Sequence, residues 1–235
     1  YRNALITGHN LSIRGGSEKL SSFLSLNYLK QEGIITNTDA ERFGMRANLE
    51  YKVNSWLKVG ARLNYIRRNS QEPFDLSRVF FIQSGAAPFI APYTRDGRFG
   101  SVEAIAQDGT LLYDNRNPLI DASNGATKTT LDYMSLNAFA TVDFTKDLNL
   151  QVTWASNGNW KMVDKYNETL YGYTDSGIET MTINYNRDGL EMSREQISTM
   201  RNNFHATLNY SKKFVEKHSV AGILGAQLEN YNIKN

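Results

Sequence analysis

The 235-residue sequence contains no cysteine, only 4 prolines and only 3 histidines. Without cysteine, neither a disulfide framework nor a cysteine-based metal site can form. No stretch of the sequence approaches the roughly 18 consecutive apolar residues that a membrane-spanning helix requires. The histidines His9, His205 and His218 are scattered and lack the spacing of metal ligands. We therefore predict neither a metal site nor a transmembrane helix.

The charge balance and the absence of catalytic motifs exclude further classes of function. Lys and Arg number 26 against 24 Asp and Glu, and no basic stripe stands out as it does in nucleic-acid-binding proteins. No glycine-rich phosphate loop follows a predicted strand, and no nucleophile elbow is present. The sequence therefore predicts no enzyme activity, no cofactor and no nucleic-acid partner.

Alternation of apolar and polar residues is the main structural signal. In residues 42–53 every odd-numbered residue is apolar or aromatic and no even-numbered residue is, and residues 57–65 continue the pattern. The same alternation recurs, more weakly in the first two, in residues 5–14, 19–30, 134–144, 148–154, 200–210 and 220–228. These predicted strands exceed the 5–6 residues usual in globular sheets, whereas a tilted membrane-spanning strand needs about 9–11.

The connections between the predicted strands alternate in length. Short turns are predicted near residues 16–17, 54–56, 145–147 and 212–217, and longer links at residues 31–40, 68–130 and 157–196. Outer-membrane barrels are built in this way, with short periplasmic turns and long extracellular loops. The fold class predicted is therefore all-β: an antiparallel transmembrane β-barrel segment of about eight long strands.

The alternation also predicts how the strands pair, because facing residues of an antiparallel pair share a face. Both apolar sets around Asn54 are odd-numbered, so Val53 should oppose Leu57, and the same parity pairs Phe144 with Leu148. In the first hairpin the apolar residues are odd-numbered on the first strand and even-numbered on the second, which requires a loop with an even number of residues. We predict a type II′ turn with Gly16-Ser17 at its centre, since glycine suits its first central position.

Two interpretations of the apolar face compete: a soluble sheet packed on a core, and a barrel whose apolar face contacts lipid. Strand length and the predicted aromatic girdle favour the barrel, because aromatic rings concentrate at membrane interfaces. The predicted girdle contains Tyr28, Tyr51, Tyr65, Phe144, Tyr210 and Tyr231. Charged residues of the polar face, among them Glu50 diagonal to Lys58, are interpreted as a solvated ladder in a water-filled or plugged lumen.

Several stretches of the first 66 residues resemble the barrel of SusC-like TonB-dependent transporters, the RagA/SusC family of Bacteroidetes. They are His9-Asn10-Leu11-Ser12-Ile13-Arg14-Gly15-Gly16-Ser17-Glu18-Lys19, Phe23-Leu24-Ser25-Leu26-Asn27-Tyr28-Leu29-Lys30-Gln31-Glu32-Gly33-Ile34-Ile35, Thr38-Asp39, Arg42-Phe43, Arg46-Ala47-Asn48-Leu49 and Trp56-Leu57-Lys58-Val59-Gly60. The later strands fit the style of the family but carry less specific motifs.

The resemblance implies a location in the outer membrane and a barrel of about 22 strands closed by a plug domain. Residues 1–235 would then be part of a single TonB-dependent-receptor β-barrel domain, without the plug. The N-terminus lacks a signal-peptide pattern, so we expect a piece of a longer protein. The implied partners are a SusD-like surface lipoprotein, TonB-ExbB-ExbD acting through the missing plug, membrane lipid, and a glycan or peptide substrate.

The predicted loop of residues 68–130 holds the candidate ligand-binding residues Tyr93 and Phe99. Their rings would stack on a sugar or pack against a partner lipoprotein. The competing hypothesis is that Phe80, Phe81 and Phe89 form a small core of the loop itself. Within the same loop, the stretch Arg95-Asp96-Gly97-Arg98-Phe99-Gly100 predicts a turn.

The function predicted is active import of a nutrient across the outer membrane. One alternative is a passive porin-type barrel, which lacks a plug. Another is a soluble extracellular β domain that binds carbohydrate. The upstream sequence distinguishes the first alternative, and dependence on detergent distinguishes the second.

Overall fold

The computed structural model describes residues 2–86, 90–105, 107–109, 111–114, 117–181, 191–214 and 218–234. Most of the described chain forms one antiparallel sheet of eight strands. These strands are β1 (Ile6–Gly16), β2 (Leu20–Glu32), β3 (Asp39–Lys52), β4 (Leu57–Glu72), β7 (Ala126–Asp143), β8 (Leu148–Tyr166), β11 (Met192–Phe214) and β12 (His218–Lys234). They lie in the sheet in the order in which they follow in sequence, so β1 and β12 occupy its two ends.

The remaining elements are short and lie in the long connections. They are α1 (Leu76–Gly85), β5 (Val102–Ile105), β6 (Leu111–Asp114), α2 (Pro118–Ser123), β9 (Tyr171–Tyr173) and β10 (Glu179–Met181). In α1 the side chain of Asp75 accepts a hydrogen bond from the Arg78 amide, and in α2 Asn117 caps a helix that begins with proline. Within the described residues, neither helix is long and apolar enough to cross a membrane.

The register confirms two of the predicted turns and corrects the third. The Val53 amide donates to the Leu57 carbonyl at 2.9 Å, and the Phe144 amide donates to the Leu148 carbonyl at 3.0 Å, as parity required. The first hairpin has the expected even loop, but its two central residues are Glu18-Lys19, because Gly16 still pairs with Ser21. Gly16 has no positive φ, so the predicted type II′ turn at Gly16-Ser17 is wrong.

A side-chain oxygen stabilises each of these short turns. Ser17 Oγ accepts from the amides of Lys19 and Leu20 at 3.4 and 3.2 Å. Asn54 Oδ1 accepts from the amides of Trp56 and Leu57 at 3.0 and 2.8 Å. Thr145 Oγ1 accepts from the Asp147 amide at 3.2 Å. Such local hydrogen bonds satisfy turn amides without glycine. The fourth predicted turn includes residues 215–217, which lie outside the described residues.

The strands extend beyond their predicted ends on the side of the long connections. β8 continues to Tyr166 and β11 begins at Met192, so residues 157–166 and 192–196 are strand rather than loop. The predicted loop of residues 31–40 reduces to residues 33–38 for the same reason. In residues 192–196 both faces are largely polar, and in residues 157–166 Gly158 and Asp164 interrupt the apolar face that Trp160, Met162 and Tyr166 continue. Apolar alternation therefore weakens while backbone pairing continues.

The sheet has one continuous apolar face. Cross-strand pairing aligns one row through Leu57, Val142, Leu150, Leu208 and Leu224. Another row begins with Ile13, Leu24, Ala47, Leu63 and Leu136. We call this surface the apolar face and the opposite surface, which carries Arg46, Arg62 and Arg201, the polar face.

The apolar face does not pack on a second layer within the described chain. None of Met45, Leu49, Leu63, Leu136 and Leu208 is buried, and Leu49 is 49% exposed. The buried apolar residues lie instead in or beside the long connections: Val79, Ile82, Ile120, Ala122, Ala126 and Val163. The interpretation as a soluble sheet packed on a core therefore fails.

Five of the six aromatic residues predicted for a girdle lie on the apolar face, and Tyr231 does not. Tyr231 pairs with Arg201 on the polar face, where the Arg201 guanidinium lies 5.4 Å from the ring centroid. The prediction was wrong for Tyr231 because the parity of β12 places even-numbered residues such as Leu224 on the apolar face. Trp160, on the same face as Asp132, replaces it, and its ring covers Gly158.

Candidate functional site

The long connections join into one structure at the end of the sheet, which we call the loop cap and define as the described parts of residues 33–38, 73–125 and 167–191. Asn37 Nδ2 donates to the Ala122 carbonyl at 3.0 Å, which joins the first of these connections to α2. The Ser101 amide donates to the Tyr173 carbonyl at 2.8 Å, which joins the second to the third. The three loops therefore position one another.

The two helices of the loop cap are held together by an ion pair. Arg78 Nε of α1 donates to Asp121 Oδ1 of α2 at 2.5 Å. Only 22% and 13% of these side chains are exposed, and burial raises the pKa of Asp121 although Arg78 opposes the shift. The stretch around Asp121 is thus a helix packed against α1.

The candidate residues Tyr93 and Phe99 lie next to each other in the structure. They face each other across a small hairpin, and their ring centroids lie 5.8 Å apart at an interplanar angle of 24°. The predicted turn is confirmed at Gly97, whose φ of 84° is one that other residues rarely adopt. Tyr93 remains 54% exposed.

Hydrogen bonds within the hairpin hold its tip rigidly. Thr94 Oγ1 donates to Asp96 Oδ1 at 2.5 Å, and Arg98 Nε donates to Asp96 Oδ2 at 2.7 Å. The hydrogen bond from Arg98, followed by the one from Thr94, lowers the pKa of Asp96 from 3.8 to about 2. The tip therefore stays ionised and paired at any physiological pH.

Asn117 anchors this hairpin to the rest of the loop cap. Its side chain is 1% exposed, and its Nδ2 donates to the carbonyls of Pro92 and Gly100, both at 2.9 Å. Its Oδ1 accepts from the Leu119 amide at 3.0 Å and so caps α2 at the same time. Asn117 is a positioning residue that the sequence interpretation missed.

A groove of about 310 Å³ runs between the hairpin and the third connection. Phe99 lines it together with Arg98, Tyr171 and Tyr173, whereas Tyr93 lies outside the lining. The Arg98 guanidinium lies 4.0 Å from the centroid of the Tyr173 ring, and the Tyr173 hydroxyl donates to Glu179 at 3.0 Å, which raises the pKa of Tyr173. Aromatic faces beside a guanidinium suit stacking on sugars or on peptide side chains.

Two parts of this site differ from the sequence interpretation. Phe80 and Phe81 are 50% and 74% exposed, so they do not form a loop core, and Phe89 lies outside the described residues. Tyr171 and Tyr173 were missed because they lie in a different predicted loop from Tyr93. Their Tyr-Gly-Tyr spacing was a readable strand signal.

The polar face carries the second candidate region. The predicted contact between Lys58 and Glu50 is confirmed at 3.3 Å, and Arg201 lies 3.6 Å from Glu229. The Arg62 guanidinium lies 4.9 Å from the centroid of the Phe139 ring. Within the described part of the chain, no group of three or more acidic or histidine side chains is arranged to hold a metal ion.

Long antiparallel strands with one unpacked apolar face, one charged face and a cap of long loops define a segment of an outer-membrane β-barrel. No family model matches the sequence. The chain is 42% identical to TonB-dependent receptor P26 of Formosa agariphila over 62 residues, 26% of the chain and 6% of the relative. It is 22% identical to TonB-dependent receptor P39 of the same organism over 231 residues, 94% of the chain and 19% of the relative.

Solved structures give the same fold. The RagAB peptide importer in its open-open state matches with a TM-score of 0.67 at 17% identity, over 96% of this chain and 24% of that one. In the closed-closed state the TM-score is 0.65 at 19% identity, over 95% and 24%. The chain thus spans about a quarter of these chains and less than a fifth of the curated relatives. The resemblance to a SusC-like TonB-dependent transporter is confirmed, as a partial barrel segment.

Proposed function

We propose that residues 1–235 form part of the barrel wall and extracellular cap of an outer-membrane transporter that actively imports a nutrient. The observation that carries this proposal is the continuous apolar face of the sheet, opposite a face lined by charged side chains. Backbone polar groups are satisfied by strand pairing, so such a sheet can cross hydrocarbon once further strands close it. The whole chain would belong to one barrel domain, and a plug domain would come from elsewhere in the full-length protein.

Energy coupling distinguishes active import from a passive porin-type barrel. Similarity to proteins named TonB-dependent receptors supports coupling through TonB-ExbB-ExbD to the plug. The test is uptake of labelled oligosaccharide and peptide mixtures by cells that carry the full-length gene, with and without a functional TonB. Active import predicts that uptake of one mixture requires TonB, whereas uptake that persists without TonB supports the porin.

The substrate is proposed to be a glycan or a peptide that contacts the loop cap. Tyr93 is 54% exposed, and Phe99 lines the groove beside Arg98. Replacing Tyr93 by Ala should reduce uptake severalfold. Phe99→Leu, which keeps the apolar bulk of the hairpin but removes the ring, separates stacking from support of the hairpin. Unchanged uptake in both variants would dispose of a ligand-binding role for this pair.

A SusD-like surface lipoprotein is the proposed partner on the extracellular side. Phe80, Phe81 and Tyr93 are exposed aromatic residues of the loop cap, a residue type that is enriched where a partner covers a protein surface. Co-purification of the full-length transporter with the lipoprotein, compared between the wild type and Phe81→Ser, tests this role. An unchanged yield of the complex would place the contact elsewhere.

A further inference from the structure

On the polar face, two pairs of like charges oppose each other directly across β3 and β4. Lys52 pairs with Lys58 and Arg42 pairs with Arg68 in the register. Like charges in this position destabilise a sheet. Glu50 relieves the lysine pair through its contact with Lys58 at 3.3 Å. Among the described residues, no carboxylate lies within 4.0 Å of the guanidinium of Arg42 or Arg68, so no ion pair compensates the arginine pair.

A recess lies beside this uncompensated pair. Arg42, Gly44 and Arg46 follow one another on the polar face of β3, and the missing side chain of Gly44 leaves room for a neighbouring side chain between the two arginines. The carboxamide of Asn27 lies across Gly44, because a Cβ at position 44 would lie 2.6 Å from Asn27 Oδ1. The recess has a volume of about 290 Å³, and its lining includes Asn10, Ser25, Asn27, Arg42, Arg46 and Asn64.

The lining of the recess is rich in hydrogen-bond donors. Each guanidinium presents a planar fork that matches a carboxylate, and the amide groups of Asn10, Asn27 and Asn64 add further donors. Arg42 and Arg46 are both exposed on this face of the described chain. Arg42 lies in the half of β3 (Asp39–Lys52) nearer the loop cap, on the side from which a solute would enter, and Arg46 lies at the middle of the strand.

We propose that this recess is a carboxylate-binding subsite on the inner wall of the barrel, which holds an acidic group of the imported solute. The inference rests on the proposed transport function and deepens it by naming an anionic substrate class. A carboxylate between Arg42 and Arg46 would form charge-assisted hydrogen bonds and neutralise the repulsion between Arg42 and Arg68. The carboxylate would come from an acidic amino acid or from a uronic acid, which are the two sources that the experiment separates.

The test measures binding of two acidic probes and their neutral counterparts to the purified full-length protein in detergent. One arm uses acetylated triglutamate and acetylated triglutamine, and the other uses trigalacturonate and its methyl ester. We expect the acidic member of one arm to bind about tenfold more tightly than its neutral counterpart. Arg42→Gln/Arg46→Gln should abolish that preference, and Arg42→Lys/Arg46→Lys should retain part of it.

The matched control is Arg62→Gln/Arg201→Gln, which removes the same charge from the same face. These two arginines are already engaged, Arg62 over Phe139 and Arg201 beside Glu229. The control should keep the preference for the acidic probe. Removing Arg42 relieves like-charge repulsion, so the melting temperature of the double glutamine variant should not fall, and loss of binding then reports on the site.

Three results would overturn the subsite. One is equal affinity for acidic and neutral probes in both arms. Another is a preference that survives in Arg42→Gln/Arg46→Gln, or that the control variant loses equally. The third is that the double variant raises ion conductance in a planar bilayer while its preference is unchanged, because the two arginines would then contact the plug. Uptake that does not require TonB would instead contradict the proposed function and leave the binding result standing.

Discussion

Arg67 and Asp132 face each other across β4 and β7, joined by two parallel hydrogen bonds of 2.8 Å each. The Tyr65 hydroxyl donates to the same carboxylate at 2.6 Å. This pair lies on the apolar side of the sheet, one step toward the loop cap from Tyr65 and Met134. An ion pair and a tyrosine at this level of the sheet suit the membrane interface, where the hydrocarbon core meets the lipid headgroups.

Replacing Asp132 by Ala should lower the free energy of unfolding by about 1 kcal/mol, a value reduced because half of Arg67 is exposed. Arg67 and Tyr65 would both lose their acceptor. The control is Glu41→Ala, because Lys30 and Glu41 lie 4.0 Å apart, at the limit of an ion pair, and 46% and 41% of their side chains are exposed. Denaturant unfolding of the full-length protein in lipid vesicles measures both. Equal effects of the two variants on the free energy of unfolding would show that the contact of Asp132 with Arg67 and Tyr65 does not stabilise the sheet.

An arginine on the apolar face should be far more harmful than one on the polar face. Leu136 and Ser135 are neighbours on β7, and Ser135 pairs with Asn64 and Asn157 on the polar face. Leu136→Arg should destabilise the protein by about 2–4 kcal/mol, since an arginine near the bilayer midplane loses its hydration. Ser135→Arg should change stability little. The stability of the two variants is compared by folding each into vesicles and following the gel shift of the unheated barrel. If Ser135→Arg were the less stable variant, the apolar face would not be the one that contacts lipid.

The turn between β3 and β4 should depend on the Asn54 carboxamide. Asn54→Ala removes the acceptor of the Trp56 and Leu57 amides. A loss of about 1 kcal/mol is expected, as for other side-chain caps of backbone amides. Asn54→Asp keeps the acceptor oxygen and should remain close to the wild type. If the aspartate variant is as unstable as the alanine variant, the hydrogen bonds are not what stabilises this turn.

The hairpin that carries Tyr93 and Phe99 should loosen when Asn117 is replaced. Asn117→Ala leaves the carbonyls of Pro92 and Gly100 without their donor, and an unsatisfied buried group costs about 1–3 kcal/mol. Trypsin should then cut more rapidly after Arg95 and Arg98. The control is Asn69→Ala, because the Asn69 side chain accepts an exposed hydrogen bond from the Thr130 hydroxyl at 3.2 Å. Unchanged cleavage in Asn117→Ala would show that the anchor is unimportant.

The eight long strands were predictable because alternation is strong wherever one face is apolar. Parity alone paired Val53 with Leu57 and Phe144 with Leu148, and both pairs are found. The first turn was misplaced because glycine chemistry pointed to Gly16, whereas the Ser17 hydroxyl supports a turn that needs no positive φ. Strand ends were also missed, since Gly158 and Asp164 interrupt the apolar face of β8 beyond Asn157.

The candidate site was only partly predictable. Tyr93 and Phe99 lie close in sequence and were identified from aromatic content alone. The contact of Arg98 with Tyr173 joins two different loops, and no local pattern reveals it. The capped starts of both helices were readable, in Asp75 followed by Leu76 and in Asn117 followed by Pro118. They were overlooked because the intervening sequence lacks helical periodicity.

The most direct test of the account is a single-cysteine scan along β7, in full-length protein freed of any other cysteine and reconstituted in lipid. This segment contributes no native cysteine. Nitroxide labels at positions from Met134 to Thr141 would be scored for collision with oxygen, which partitions into lipid, and with a water-soluble nickel complex. The account predicts that oxygen accessibility peaks at Leu136, Ala138 and Ala140, and nickel accessibility at the residues between them. Accessibility without this alternation, or even-numbered labels shielded from oxygen, would contradict a lipid-facing apolar surface.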